Sequence, residues 1–186
     1  MIRVLVVDDH PAMRTGLDIV LRREPGIVVC ALVADADEAL ASLPRDPDVA
    51  LIDYHLGDED GIGLCRRLKA RAPGLRVLVY SAHARRGLAL PARLAGADGV
   101  LDKGAPAEEL LAAIRAVAGG RAVFPGAVHE LARGATSRIH QDDLPLLGML
   151  ADGATRDEVS TVMSIEPSEL DSRIEEILRI LKPRVG

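Results

Sequence analysis

The stretch Val49-Ala-Leu-Ile-Asp-Tyr-His-Leu-Gly57 decides the fold. Apolar residues run unbroken into a carboxylate, Asp53, between Pro47-Asp48 and Gly57. Such a run, without polar alternation, predicts a strand covered on both faces, as in a parallel sheet. Asp53 then falls at the carboxyl end of the strand, the edge where open parallel sheets bind ligands.

The flanking sequence predicts the rest of that sheet. Ile2–Val7 reads as a strand ending on Asp8-Asp9, and Pro11 opens a helix to about Glu24, broken by Pro25-Gly26. Ile27–Leu32 is a second strand, and Asp35 or Asp37 caps a helix through Leu43. Beyond Gly61 a helix covers Ile62–Arg71, and Leu75–Tyr80 is a strand ending on Ser81. Residues 85–96 predict only a weak helix, because Gly87 and Pro91 both disfavour it. Ala97–Asp102 is a fifth strand, followed by Lys103, and Ala107–Val117 is a strong helix stopped by Gly119-Gly120. This alternation predicts an α/β domain over residues 1–120, a doubly wound five-stranded parallel sheet.

Parallel strands end on one edge, so Asp8, Asp9, Asp53, Ser81 and Lys103 converge there. Carboxylates gathered at one edge repel unless a cation sits among them, and Mg²⁺ suits a few carboxylates completed by water. Lys103 adds a fixed positive charge and Ser81 a hydroxyl donor. The set suits a phosphoryl group, with Asp53 as the nucleophile. Taken singly, each residue has a plainer reading as a helix cap, a solvated acid or a surface lysine. His10, His83 and Arg85-Arg86 read as solvated loop residues. Haloacid-dehalogenase-like phosphatases need a second Asp two positions after the nucleophile, where this chain has His55. No Gly-rich nucleotide-binding motif is present.

Asp8-Asp9-His10, Asp53, Ser81-Ala82 and Asp102-Lys103-Gly104 together resemble the receiver domain of two-component response regulators. The resemblance spans about residues 1–120 and implies the flavodoxin-like strand order. It implies metal binding by Asp8, Asp9, Asp53 and the backbone carbonyl of His55. It implies phosphorylation of Asp53 by a sensor histidine kinase, with Ser81 and Lys103 on the phosphoryl group. Enzymatic activity beyond the domain's own phosphorylation and dephosphorylation is not expected. Three positions depart from the family. Leu56-Gly57 stands where Met-Pro is usual, Val100 replaces the Tyr or Phe of the fifth strand, and Tyr80, next to Ser81, belongs to the opposite sheet face. The weak helix around Pro91 is the expected carrier of any signalling change.

Bulk properties bound the reading. The 186 residues are 48% hydrophobic and 27% charged, with 2% aromatics and no Trp, a globular composition whose core must be aliphatic. Cys30 and Cys65 lie far apart in apolar settings and read as reduced thiols. No segment has the length and apolarity of a membrane span, and a cytoplasmic location is expected. Net charge is −1 over residues 1–126 and −4 over 127–186, which disfavours non-specific nucleic-acid binding.

Residues 121–138, with Pro125, Gly126 and Gly134, read as a linker holding at most a short helical piece near Val128–Arg133. Leu144–Ala151 predicts a helix with Asp142 and Asp143 at its start, and Thr155-Arg-Asp-Glu158 is a capping box opening a second. Pro167 begins a third through Leu181, with Leu170, Ile174, Ile177, Leu178 and Leu181 on one face. The pattern is a helix-turn-helix over residues 139–186. It resembles the output domain of the NarL/FixJ (LuxR-type) regulators in its apolar skeleton, in a degenerate form. Where that family presents Lys, Thr, Lys, Asn and His to DNA, this chain has Ser168, Glu169, Asp171, Ser172 and Arg173. The remaining DNA-contact candidates are Ser168, Ser172, Arg173, Arg179 and Lys182. The resemblance implies a transcription regulator that dimerises on phosphorylation. The acidic last helix leaves two alternatives, a signalling protein whose helix-turn-helix binds a protein partner, and a stand-alone phosphoryl sink.

Overall fold

A computed structural model describes residues 1–57, 59–82, 84, 87–126 and 128–181, with only the backbone of His129. The strands β1 (Ile2–Val7), β2 (Ile27–Val33), β3 (Val49–Asp53), β6 (Arg76–Ser81) and β7 (Gly99–Asp102) form one parallel sheet in the order β2-β1-β3-β6-β7. All five residues of β3 are buried, as its unbroken apolarity predicts. The chain crosses from one side of β1 to the other after β2. The switch point therefore lies between β1 and β3, where Asp8-Asp9 and Asp53 end their strands. A two-residue antiparallel pair, β4 (His55–Leu56) and β5 (Glu59–Asp60), follows β3 and has no counterpart in the sequence reading.

Side-chain alternation sorts the sheet into two apolar layers. Val4, Val6, Leu51, Tyr80 and Leu101 pack with Leu17 and Leu21 of α1 (Pro11–Arg22) and Leu110 and Ile114 of α5 (Ala107–Ala118). Leu5, Val7, Ile52, Val79 and Val100 face the other way, toward Leu64 and Leu68 of α3 (Gly61–Arg71) and Leu94 of α4 (Ala89–Leu94). Tyr80 and Val100 thus lie on opposite faces, as alternation requires. The helix α2 (Ala36–Ala41) is capped by Asp35, whose side chain accepts from Glu38 N.

The weak helix of residues 85–96 is α4, six residues long and buried along its length. Pro91 falls in its first turn, where a missing N–H costs no intrahelical bond. Arg85 and Arg86, like His83, lie outside the described residues.

The stretch read as a linker is structured. Val100 N donates to Val123 O (2.7 Å) and Val123 N to Asp98 O (3.0 Å), extending the sheet edge. Gly99 permits this approach, since a Cβ there would stand 2.6 Å from Val123 O. The helix α6 (Val128–Ala135) buries Val128, Ala132 and Ala135. Then come α7 (Leu144–Asp152), α8 (Arg156–Met163) and α9 (Pro167–Leu181). The Thr155–Glu158 capping box is formed in both directions. Ser164, at φ 54°, makes the tight turn into α9.

The apolar layer around α3 and α4 continues without a break into Val128, Ala132, Leu146, Leu147, Val159, Leu170, Ile174 and Ile177. Ion pairing reinforces the contact. Arg66 of α3 meets Glu175 of α9 at 2.6 Å, and Arg156 pairs with Asp171 while reaching Leu94 O at 3.4 Å. No described helix is long and apolar enough to cross a membrane.

Candidate functional site

Asp8 follows β1 directly and Asp53 is the last residue of β3; both are buried, at 1% and 4% exposure. Asp8 Oδ1 accepts from His10 N (2.8 Å), which turns the chain into α1. Ser81 ends β6, fully buried, in register with Asp102. Lys103 N donates to Ser81 O (3.0 Å), and from there the lysine side chain reaches across the strand ends. Its Nζ lies 2.6 Å from Asp8 Oδ2 and 2.7 Å from Asp53 Oδ2. Tyr80 Oη donates to Lys103 O (3.3 Å), holding the same turn from the other sheet face. Burial pulls the Lys103 ammonium down, but the Asp53 and Asp8 carboxylates outweigh it and hold the group above its usual range.

Ligand atoms of Asp8, Asp9, His10 and Asp53 all lie within 4.8 Å of one another. Asp9 Oδ1 is shut off from solvent without a hydrogen bond of acceptable geometry. An oxygen-rich cluster with an orphaned acceptor fits a divalent cation of the Mg²⁺ class. His55, two residues past Asp53, lies in β4 with an exposed side chain stacked edge-on to Tyr54 at 4.7 Å.

The sequence-predicted residues Asp8, Asp9, Asp53, Ser81 and Lys103 are thus gathered at the carboxyl edge. Several neighbours were not foreseen. Arg14 Nη1 donates to Asp8 O (2.6 Å), placing a second cation near the acids. A Cβ at Gly61 would stand 2.3 Å from Asp53 O, so glycine alone lets α3 begin against the end of β3. Gly57 adopts φ 62°, a conformation closed to the family's usual proline. For Gly61 the available signal was a glycine directly after the polar run Asp58-Glu59-Asp60.

On α9, Ser168, Ser172 and Arg179 are exposed. Ser172 Oγ donates back to Ser168 O (3.0 Å) and Arg179 pairs with Glu176. Arg173 is half-buried: its Nε donates to Asp143 Oδ1 (2.6 Å) and Nη2 to Asp142 O (2.5 Å), tying α9 to the start of α7. Lys182 lies outside the described residues. A cleft of about 330 Å³ lies between α3 and α9, lined by Tyr54, Ile62 and Leu178 together with the charged Asp60, Arg66, Glu175 and Arg179.

Comparison with known proteins agrees with this arrangement. Residues 4–115 match the response regulator receiver domain family. The DNA-binding transcriptional activator DevR/DosR of Mycobacterium tuberculosis is 32% identical, over 96% of this chain and 87% of its own length. The nitrate/nitrite response regulator protein NarP of Escherichia coli is 31% identical, over 98% and 89%. Among solved structures, a LuxR-family two-component response regulator from Aurantimonas is 34% identical at a TM-score of 0.65, over 72% of this chain and 97% of that one. The RcsB response regulator of Salmonella typhimurium shares the fold over 100% of this chain and 94% of its own, at 21% identity and a TM-score of 0.62. The chain belongs to the two-component response regulators of the NarL/LuxR type, transcription regulators in which a receiver domain precedes a helix-turn-helix output domain.

Proposed function

We propose that Asp53 accepts a phosphoryl group from a phosphohistidine on a sensor histidine kinase, and that the state of this aspartate governs DNA binding by residues 139–186. The observation that carries the reading is the Lys103 ammonium bridging two buried carboxylates at 2.6 and 2.7 Å. A fixed cation beside a buried strand-end carboxylate is what a transferring phosphoryl group requires.

The step joins phosphorus to a carboxylate oxygen of Asp53 as the phosphorus–nitrogen bond of the donor breaks. The electron pair returns to the donor imidazole, which takes up a proton. Lys103 offsets the charge on the phosphoryl oxygens, and the Ser81 hydroxyl donates to one of them. Asp8, Asp9, Asp53 and the His55 backbone carbonyl would hold Mg²⁺, which supplies further charge neutralisation there. Hydrolysis of the acyl phosphate by water resets the site, so the receiver's chemistry concerns only its own aspartate.

On the output side, the similarity to a relative described as a DNA-binding activator supports DNA as the target. Ser168, Ser172 and Arg179 are the described candidates exposed to it, whereas Arg173 is engaged by Asp143; Lys182 is a candidate by sequence alone. Asp171 is offset by Arg156 and Glu175 by Arg66, which reduces the acidity that α9 presents. Dimerisation on phosphorylation and a cytoplasmic location belong to the same reading.

A small-molecule phosphodonor labels the wild type and leaves Asp53→Asn unlabelled; equal labelling overturns the site. The phosphorylated chain binds mixed DNA with an affinity that falls as salt rises. Absence of binding even at low salt overturns the DNA reading.

A further inference from the structure

Tyr80 is the aromatic residue of β6, and the chemistry assigned to Asp53 does not use it. Its ladder partners are Asp53 on β3 and Leu101 on β7, so its backbone runs beside the acceptor. The residue is buried, its ring packed in one layer with Leu101, Leu110 and Ile114. A buried phenol needs an acceptor for its hydroxyl. Tyr80 Oη finds one in Lys103 O, at 3.3 Å. Ser81, the next residue of β6, accepts from Lys103 N at 3.0 Å. Two consecutive residues of β6 thus hold both backbone polar atoms of the lysine, which lies one position past the end of β7. Holding a residue at both ends fixes the direction of its Cα–Cβ bond, and with it where a flexible four-carbon stem can deliver its charge. Here the stem delivers Nζ to Asp8 Oδ2 and Asp53 Oδ2, at 2.6 and 2.7 Å. Burial pushes the Tyr80 phenol up against the opposing Lys103 ammonium, with Asp102 and Asp8 adding to the rise. The hydroxyl therefore stays a donor at neutral pH, within electrostatic reach of the pocket.

We propose that Tyr80 is a positioning residue for phosphoryl transfer, its hydroxyl holding the Lys103 backbone so that the ammonium stands ready at the acceptor carboxylate. The inference rests on the reading of Asp53 as the phosphoacceptor. A cation already in place when the phosphoryl group arrives stabilises developing charge without rearranging at the moment of reaction. A cation left to find its place loses that advantage, and small misplacements are costly in rate. Phenylalanine at position 80 would fill the same space against α5 and leave Lys103 O without the phenol hydroxyl.

The test compares the full chain with Tyr80→Phe. Labelling of Asp53 by acetyl phosphate in the presence of Mg²⁺ is expected to slow about two- to tenfold, the rate equivalent of one neutral hydrogen bond. The second readout is the nitrogen-15 resonance of the Lys103 ammonium. The chain has three lysines, Lys69, Lys103 and Lys182, and Lys103→Arg identifies the signal. Held by two carboxylates, the Lys103 ammonium is expected to exchange slowly and be visible in the wild type, and to broaden toward a solvated lysine in Tyr80→Phe. Lys69, paired with Asp98 at 2.7 Å, is the internal reference and is expected to keep its signal. A lower urea midpoint with both readouts unchanged means that the phenol only packs, and overturns the proposal. Slower labelling with an unchanged Lys103 signal overturns it too, because the effect then does not pass through the lysine. A wild type without a slowly exchanging Lys103 signal removes the tether it is built on. Failure of the wild type to label overturns the Asp53 reading instead, and the Lys103 signal still decides whether Tyr80 holds the lysine.

Discussion

Lys103 is the hinge of the site's electrostatics. It sits between Asp8 and Asp53, both nearly closed to solvent, and removing it leaves two buried carboxylates facing each other. Breaking a buried ion pair from one side typically costs about 3–5 kcal/mol. Lys103→Ala is expected to lose stability on that order in urea unfolding, and to recover part of it when a divalent cation is added. Gly61 acts through shape alone. With the Asp53 carbonyl 2.3 Å from where a Cβ would stand, Gly61→Ala must push α3 or β3 aside. A cost of roughly 1–3 kcal/mol is expected, the range for overpacking, together with slower phosphodonor labelling. Asp53→Asn differs from both. It removes one of the mutually repelling acids, so it should abolish labelling while the unfolding midpoint stays at or above that of the wild type.

At the scale of elements, α4 shows tertiary packing overriding propensity. Gly87 and Pro91 weaken it, and six residues are too few for a helix to persist alone. It forms because Ala89, Leu90, Pro91, Ala92 and Leu94 are covered by the sheet layer on one side and the C-terminal helices on the other. Leu94, 1% exposed, is a sensitive point. Leu94→Ala is expected to cost about 2–5 kcal/mol in urea unfolding and to speed amide exchange at Ala92 and Ala95. Unchanged exchange at those amides would mean that α4 does not depend on this packing. The helix α9 is the complementary case. Its apolar stripe was readable from spacing, but its exposed acids acquire a meaning only from the arginines opposite them.

Across the whole molecule, the receiver and output helices share one apolar cluster, bordered by the Arg66–Glu175 pair. The Arg66 guanidinium, by hydrogen bonding and by charge, holds the Glu175 carboxyl below its ordinary value of 4.5. A carboxyl depressed in the docked state contributes to docking above its ordinary value, and the contribution is lost as pH falls through the depressed value. Domain separation, followed by small-angle scattering, is therefore expected to increase below about pH 4.5 in the wild type, approaching Glu175→Gln, which lacks the pair at every pH and changes less over this range. The pair is exposed, so raising the salt concentration should weaken it at neutral pH as well. Identical pH curves for the two proteins would remove Glu175 from the docking contact.

The sequence by itself determined the five parallel strands and the positions of Asp8, Asp9, Asp53, Ser81 and Lys103. Local rules sufficed: a doubly covered strand must be apolar throughout, and parallel strands must deliver their carboxyl ends to one edge. The capping box and the apolar stripe of α9 were legible for the same reason, since each is set within one or two helical turns. Other features depended on residues distant in the chain. Arg173 is drawn to Asp143 and Arg66 to Glu175, separations of 30 and 109 residues that no periodicity announces. The folding of 121–138 against Gly99 and α4, and the approach of His10 to Asp9, likewise arise from how backbone segments meet. Sequence fixes which chemistry each segment carries, while only the packed chain decides which of those groups stand within reach of one another. At this site the distinction separates a carboxylate read from a strand end from the charged groups assembled around it.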